Sequence, residues 1–234
     1  MPAVFKREFR AYFYTPLGYV FIGAYHLLTG FFFFNYNLYG NSSDMRALFD
    51  VLFTVTLFLI PILTMRLMSE DRKMKTDQIL LMSPVTSAGV VCGKFFAALC
   101  VYLLAMSGTL ADSLILEIYG APEWPLVAGH FSGLLLLGCC LIAIGLFISA
   151  LTENQIIAAI GGFCAGLLLM LLDSVAPLVS AAGVSSVLKG ISFRLRYQPF
   201  TLGIFGLDNI VFFASVCVFF VFLAVEQFEK RRWA

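Results

Sequence analysis

The chain has 234 residues, of which 61% are hydrophobic and 12% are charged, with a net charge of +1. Soluble globular domains are about 45–50% apolar and about 25% charged, so this composition excludes an ordinary soluble domain and indicates that lipid surrounds much of the chain. The near-neutral charge, with no basic stripe away from the ends of the apolar runs, gives no indication of nucleic-acid binding.

The first segment, residues 4–14 (VFKREFRAYFY), has the pattern of an amphipathic helix. Aromatic residues recur at helical spacing and basic residues fall on the other side: Phe5, Phe9, Tyr12 and Phe13 against Lys6, Arg7 and Arg10. This pattern predicts a helix that lies in the membrane interface before the chain turns at Pro16 into the first apolar run. The alternative is a disordered basic tail, against which the aromatic spacing argues.

Six apolar runs approach or exceed the roughly 17–25 residues that a helix needs to cross a bilayer core. They are Leu17–Leu38, Leu48–Met65, Phe95–Leu116, Phe131–Leu151, Ile156–Leu172 and Leu207–Val225. The runs are continuous and do not alternate, which argues against the strands of a membrane barrel. No small-residue cleavage site follows the first run, so we expect it to be retained as a span. The sequence predicts an all-α membrane protein, with residues 1–234 forming one domain of six transmembrane helices.

Six spans place both termini on the same side of the membrane. If that side is the cytoplasm, eleven of the fifteen Lys and Arg residues lie inside and four outside: Lys6, Arg7, Arg10, Arg66, Arg72, Lys73, Lys75, Lys94, Lys230, Arg231 and Arg232, against Arg46, Lys189, Arg194 and Arg196. Because cytoplasmic loops of membrane proteins are enriched in basic residues, both termini are predicted to be cytoplasmic in a plasma or inner membrane.

The loop between spans two and three, residues 65–84 (MRLMSEDRKMKTDQILLMSP), is the densest charged stretch of the chain. Ser69 is suited to capping a helix, and Glu70 and Asp71 would lie in its first turn, where the helix dipole favours negative charge. Three apolar residues further on would face the membrane, namely Ile79, Leu80 and Met82. We therefore predict a short helix over 69–83 that leaves its charges for a partner protein.

Motifs for catalysis and nucleotide binding are lacking. The stretch nearest to a phosphate-binding loop, Gly89–Phe96 (GVVCGKFF), has the wrong glycine spacing, and Phe95 stands where a magnesium-binding hydroxyl is required. The six cysteines lie in or beside apolar runs without a C-x-x-C pair, which favours packed side chains over a metal site. The sequence therefore predicts neither an enzyme nor a cofactor site in this chain.

Several acids lie toward the predicted outer side, where they could form the mouth of a pathway: Asp50, Asp112, Glu117, Asp173 and Asp208. Solvated helix ends are the alternative for most of them, and Asp208 could cap the sixth span. His26, in the first span, is either a proton-relay residue or a histidine packed between helices.

The external segment 173–206 between spans five and six is too long for a simple turn. Its first half is apolar but is interrupted by Pro177 and is too short to cross the membrane. A re-entrant or interfacial helix fits this part, since backbone at that depth must form internal hydrogen bonds or be covered by protein.

Three stretches together resemble the ABC-2-type transporter permeases. The central one, residues 65–99 (MRLMSEDRKMKTDQILLMSPVTSAGVVCGKFFAAL), is similar to the family's signature around the loop between spans two and three. Residues 5–20 (FKREFRAYFYTPLGYV) resemble its interfacial helix, and residues 200–233 (FTLGIFGLDNIVFFASVCVFFVFLAVEQFEKRRW) resemble the end of small six-span members of the gliding-motility and nitrous-oxide-reductase maturation types.

The resemblance implies a half-transporter that pairs with a second permease copy and is driven by two copies of a separate ATPase subunit, which binds the ATP and magnesium. The loop over 69–83 would then be the coupling helix. Its ATPase contacts would be Glu70, Asp71 and Arg72, with Thr76 and Leu80 shaping the helix; many relatives have glycine at the position of Lys75.

Three functions remain open at this point. The first is an export permease whose pathway runs between two copies, lined by spans one, two and five, with Phe31–Phe34, Phe53 and Phe58 as apolar wall. The second is a membrane anchor that passes ATPase motion to an extracytoplasmic accessory protein without transport. The third, a proton-coupled carrier, would require Asp112 or His26 to titrate within the membrane.

Overall fold

The computed structural model describes residues 2–76, 85–119, 123–175 and 190–230, apart from the side chains of Tyr119, Asp173 and Val175. Across these ranges the chain is helical and contains no strand, as predicted. The helices are α1 Pro2–Tyr14, α2 Pro16–Phe33 continued by the π-helical segment Phe34–Tyr39, α3 Arg46–Thr64, α4 Ser69–Lys73, α5 Ser87–Tyr119, α6 Trp124–Leu151, α7 Gln155–Val175, α8 Phe193–Thr201 and α9 Leu207–Lys230.

Six of these helical segments are long and apolar enough to cross a membrane, so the prediction of a multi-pass membrane protein is confirmed. The helices extend beyond the apolar runs because backbone hydrogen bonding continues where hydropathy falls. The third span shows this most clearly, since α5 begins at Ser87, well before the predicted start at Phe95. Lys94, which the sequence assigned to a cytoplasmic loop, therefore lies inside a helix and is buried.

Helix α6 forms the centre of the bundle and contacts α3, α5, α7, α8 and α9. In its most apolar stretch 67% of the residues are buried, against 11% in α9, which lies at the periphery. Glycines on α6 allow this close packing. A side-chain carbon added at Gly138 would lie 2.1 Å from Cε1 of the Tyr102 ring, and one added at Gly145 would lie 2.2 Å from Oγ1 of Thr64.

The predicted N-terminal helix is confirmed as a helix. It ends where Thr15 adopts an extended conformation before Pro16, as residues preceding proline do. Val4 packs against Gly93 of α5, and the buried Tyr12 hydroxyl donates a hydrogen bond to the Leu63 carbonyl (2.9 Å). Burial raises the pKa of Tyr12, so its hydroxyl stays protonated and remains a donor.

The predicted continuous helix over 69–83 is wrong in its first half. Helix α4 ends at Lys73, and Lys75 has a φ of 56°, the left-handed region that breaks a helix. Ser69 is not the capping residue, because its hydroxyl donates back to the Met65 carbonyl and Met68 holds the cap position. Leu80 and the rest of the apolar face lie outside the described residues.

Replacing Lys75 by glycine is expected to stabilise the protein by about 1 kcal/mol, because a left-handed conformation costs a residue with a side chain roughly 1–2 kcal/mol. The thermal unfolding midpoint in detergent micelles measures this effect. Lys73→Gly is the matched control, since it introduces glycine at the last residue of α4, where φ is not positive, and should cost up to about 0.5–1 kcal/mol. If Lys75→Gly and Lys73→Gly lower the unfolding midpoint equally, Lys75 does not have the left-handed backbone conformation.

The external segment is described in part. Residues 176–189, which include the predicted re-entrant stretch, lie outside the described residues. The second half contains α8, whose N-terminus is capped by Ser192, since its Oγ accepts a hydrogen bond from the Leu195 amide (3.1 Å). Phe193, Tyr197 and Phe200 of α8 are buried against the bundle.

Candidate functional site: a charged cluster at one end of the bundle

Four charged side chains from three helices meet at the end of the bundle where α1, α4 and α5 come together. Lys94 Nζ lies 2.6 Å from Asp71 Oδ2 and 3.1 Å from Glu8 Oε1. Arg7 Nη2 completes the arrangement, 2.5 Å from Glu8 Oε1 and 3.5 Å from Asp71 Oδ2. We call these four residues the Lys94 cluster. Each carboxylate contacts both cations, so the cluster has no net charge.

The Lys94 cluster is largely shielded from solvent. The Lys94 side chain is 2% exposed, whereas those of Glu8 and Asp71 are 13% and 17% exposed. A buried ammonium group is costly unless paired, and here two carboxylates compensate it. At the solvent edge, burial disfavours the charged form of Arg7, but its contacts with Glu8 and Asp71 raise the pKa above the ordinary value. The cluster therefore fixes α4 against α1 and α5 through charge.

Hydrogen bonds hold α4 against the end of α6 as well. The buried Ser149 hydroxyl accepts from the amides of Met68 (3.0 Å) and Ser69 (3.1 Å) and donates to the Met65 carbonyl (3.1 Å). Arg72 Nη1 donates to the carbonyl of Ala150 (2.6 Å). These contacts satisfy amides at the start of α4, which would otherwise lack partners.

Arg66 links this region to the junction of α1 and α2. Its Nη1 donates to Thr15 Oγ1 and its Nε lies beside Glu70 Oε2, both at 2.6 Å. The guanidinium also stands 5.9 Å from the centre of the Tyr12 ring. Arg66 therefore joins the segment after α3 to the end of α1 and to Thr15, about 50 residues earlier in the chain.

The predicted coupling residues fall into two groups in the structure. Asp71 and Arg72 point into the protein, and Thr76 donates to Asp71 Oδ1 (2.7 Å), so these three residues have internal partners. Glu70 is 38% exposed beside Arg66. The exposed residues among those described in this segment are Lys73, Met74 and Lys75.

Sequence reasoning missed Glu8 and Lys94 as members of a shared site. Lys94 was counted only as a base flanking a span, and Glu8 was not singled out. One signal was available, because a lone acid among the basic residues of an amphipathic helix indicates a cation nearby. The identity of that cation, 86 residues away, depends on how α1 packs against α5.

The predicted acids of the outer mouth do not share one partner. Asp50 lies 3.5 Å from Arg194 of α8, while Asp112 is partly buried on α5, four residues after Gly108, which faces the His26 ring of α2. Glu117 and Asp208 are exposed, and Asp208 lies in the first turn of α9 instead of at its cap. For Asp173, only the backbone at the end of α7 is described. Within the described ranges, no group of three His, Cys, Asp or Glu side chains could hold a metal ion.

The residues predicted to form an apolar pathway wall differ in exposure. Phe53 is buried against Tyr197, whereas Phe58 is 39% exposed and its ring contacts that of Phe163. Phe31 and Phe34 are exposed on the surface of the single copy. No protein-family model, curated protein or solved structure matches the chain.

Proposed function

We propose that this chain is the permease subunit of an ATP-binding-cassette exporter and that a separate ATPase drives it from the end of the bundle that carries the Lys94 cluster. Two permease copies would form the pathway between them, and the ATPase dimer would bind ATP and magnesium. The resemblance of residues 65–99 to the ABC-2 signature supports the family, and the excess of basic residues at this end supports a cytoplasmic location.

The observation that carries the proposal is the bonding of α4 to the rest of the bundle. Asp71 is ion-paired to Lys94 of α5, and Arg72 is bonded to the end of α6. A force applied to α4 would therefore move α1, α5 and α6 together, as rigid elements that share a packed interface do. This is the mechanical property that a subunit driven by a separate motor requires.

The proposed roles of the residues in and after α4 follow from the exposure of their side chains. Asp71 and Arg72 hold α4 in place, while Glu70, Lys73, Met74 and Lys75 present the surface that touches the ATPase. Met74 is 69% exposed, and a flexible methionine side chain suits a protein contact.

A second candidate function is an anchor that transmits ATPase motion to an extracytoplasmic partner without transport. The filled centre of the bundle favours it, since Leu134, Leu137 and Leu146 of α6 are fully buried. A substrate path would have to run between two copies, and the anchor needs no such path. Substrate-stimulated ATP hydrolysis in proteoliposomes distinguishes the exporter from the anchor.

The docking surface is tested by reversing its exposed charges. Lys73→Glu with Lys75→Glu is expected to weaken ATPase binding about tenfold, which corresponds to about 1.4 kcal/mol, without changing the thermal unfolding midpoint of the permease. Binding is measured with a purified P-loop ATPase that co-purifies with the unchanged chain. Lys6→Glu with Arg10→Glu on the exposed side of α1 is the charge-matched control. Equal binding by both double variants would contradict the proposed surface.

A further inference from the structure

Aromatic side chains form a continuous ladder along one side of α1. The ring centroids of Phe5 and Phe9 are 5.9 Å apart, and those of Phe9 and Phe13 are 5.1 Å apart. The ladder continues onto the first membrane span, where Phe13 lies nearly perpendicular to Tyr19, with the centroids 5.5 Å apart. Tyr19 is 61% exposed in the first turn of α2. Because this turn begins a helix that is long and apolar enough to cross the membrane, the aromatic ladder lies where the bundle meets the membrane surface.

Helix α1 has three sides with different surroundings. One side is buried against the bundle through Val4 and Tyr12. The side next to it carries the three ladder rings of α1, which are half-buried. The third side begins one residue later, about 100° further round the helix, and exposes Lys6 and Arg10. Adjacent aromatic and basic sides are typical of a helix that lies in a membrane interface, with its rings among acyl chains and its cations among headgroups.

The basic side of α1 lacks a compensating acid. Glu8 is the single acid of this helix, and it pairs with Arg7 and with Lys94 of α5. Lys6 and Arg10 form no hydrogen bond or ion pair through their side chains with the residues that the structure describes. They are one helical turn apart, which places their Cβ atoms about 5–6 Å from each other. Both cations can therefore reach the same phosphate group.

We propose that α1 binds an anionic phospholipid, with Lys6 and Arg10 at the phosphate and the aromatic ladder against an acyl chain. Two exposed cations alone would attract any anion, and aromatic rings alone would accept any lipid. Their adjacency at the membrane boundary selects a molecule that carries both a negative headgroup and an acyl chain. The long stems of lysine and arginine let their charged ends reach the headgroups from a helix at this depth. The proposal does not require the chain to be a transporter subunit.

The test places a fluorescent reporter in the ladder. Full-length protein with Phe9→Trp, whose two native tryptophans are replaced in Trp124→Phe and Trp233→Phe, is reconstituted into phosphatidylcholine nanodiscs. Phosphatidylglycerol with brominated acyl chains should quench the new tryptophan, and quenching should be half-complete at an about tenfold lower mole fraction than with brominated phosphatidylcholine. High salt should reduce this preference, because it screens the exposed cations. Inorganic phosphate, which has no acyl chain, should leave the quenching unchanged.

Two double variants identify the groups responsible. Lys6→Gln with Arg10→Gln should bring the two brominated lipids to within about twofold of each other, with the unfolding midpoint unchanged because both side chains are exposed. Lys73→Gln with Lys75→Gln, which removes two exposed cations from the same end of the bundle, should keep the preference. Absence of quenching, equal quenching by both lipids in the unchanged basic background, loss of the preference with inorganic phosphate, or a preference that survives Lys6→Gln with Arg10→Gln would each overturn the proposal.

Discussion

Replacing Lys94 by methionine is expected to destabilise the helical bundle by about 3 kcal/mol, because it leaves two largely buried carboxylates with one cation between them. Methionine preserves the apolar stem, so the loss comes from charge and not from a cavity. Asp71 and Glu8 would face each other with Arg7 alone to compensate them. Thermal unfolding in detergent micelles, followed by circular dichroism, measures the loss.

Two further variants test whether the loss of stability comes from the uncompensated carboxylates. Lys73→Met removes an exposed lysine from the same region and should change stability by less than about 0.5 kcal/mol. Adding Asp71→Asn to Lys94→Met removes the excess carboxylate and should restore about half of the lost stability, since Arg7 and Glu8 then remain as a balanced pair. If Lys94→Met is no more harmful than Lys73→Met, Lys94 does not compensate buried carboxylates.

Gly138→Ala is expected to cost about 2–3 kcal/mol, since the added methyl group would clash with the edge of the Tyr102 ring, 2.1 Å from its Cε1. The ring cannot easily move away. Tyr102 is fully buried, and its hydroxyl is held by a hydrogen bond to the Leu134 carbonyl (3.0 Å). We expect a lower unfolding midpoint together with increased labelling of the cysteine next in the chain, Cys139, by a small thiol reagent.

Gly23→Ala provides the matched control, because no atom lies within 4 Å of the position that its new methyl group would occupy. This change should be neutral or stabilise the protein by about 0.5–1 kcal/mol through the better helix propensity of alanine. Equal losses in Gly23→Ala and Gly138→Ala would mean that α5 and α6 do not approach as closely as the structure has them.

The long helices were predictable from sequence because hydropathy alone specifies them. Leu207–Val225 and α9 share their first residue, and Leu48–Met65 matches α3 to within two residues at each end. Helix α1 followed from the spacing of its aromatic residues. Bilayer crossing and helical periodicity are properties of one segment at a time, so one segment suffices to predict them.

The charged cluster could be predicted only in part, because it depends on tertiary packing. Sequence reasoning identified Asp71 and Arg72 as important but expected them to face a partner, whereas both have partners within the chain. The turn at Lys75 was not predictable from its residue type, because lysine rarely adopts a positive φ. The stacking of His130 on Phe49 requires α3 and α6 to converge, and no local pattern encodes that convergence.

The central claim is that an ATPase docks on the exposed residues beside the Lys94 cluster. A photo-crosslinking amino acid at position 73 tests it, with position 50 as the control. Both residues are exposed, but Asp50 lies near the N-terminal end of α3 and Lys73 lies beyond its C-terminal end. In native membranes, we expect a crosslink from position 73 to a P-loop ATPase that ATP alters, and none from position 50. A crosslink from position 50, or none from position 73 while the two chains still co-purify, would contradict the account.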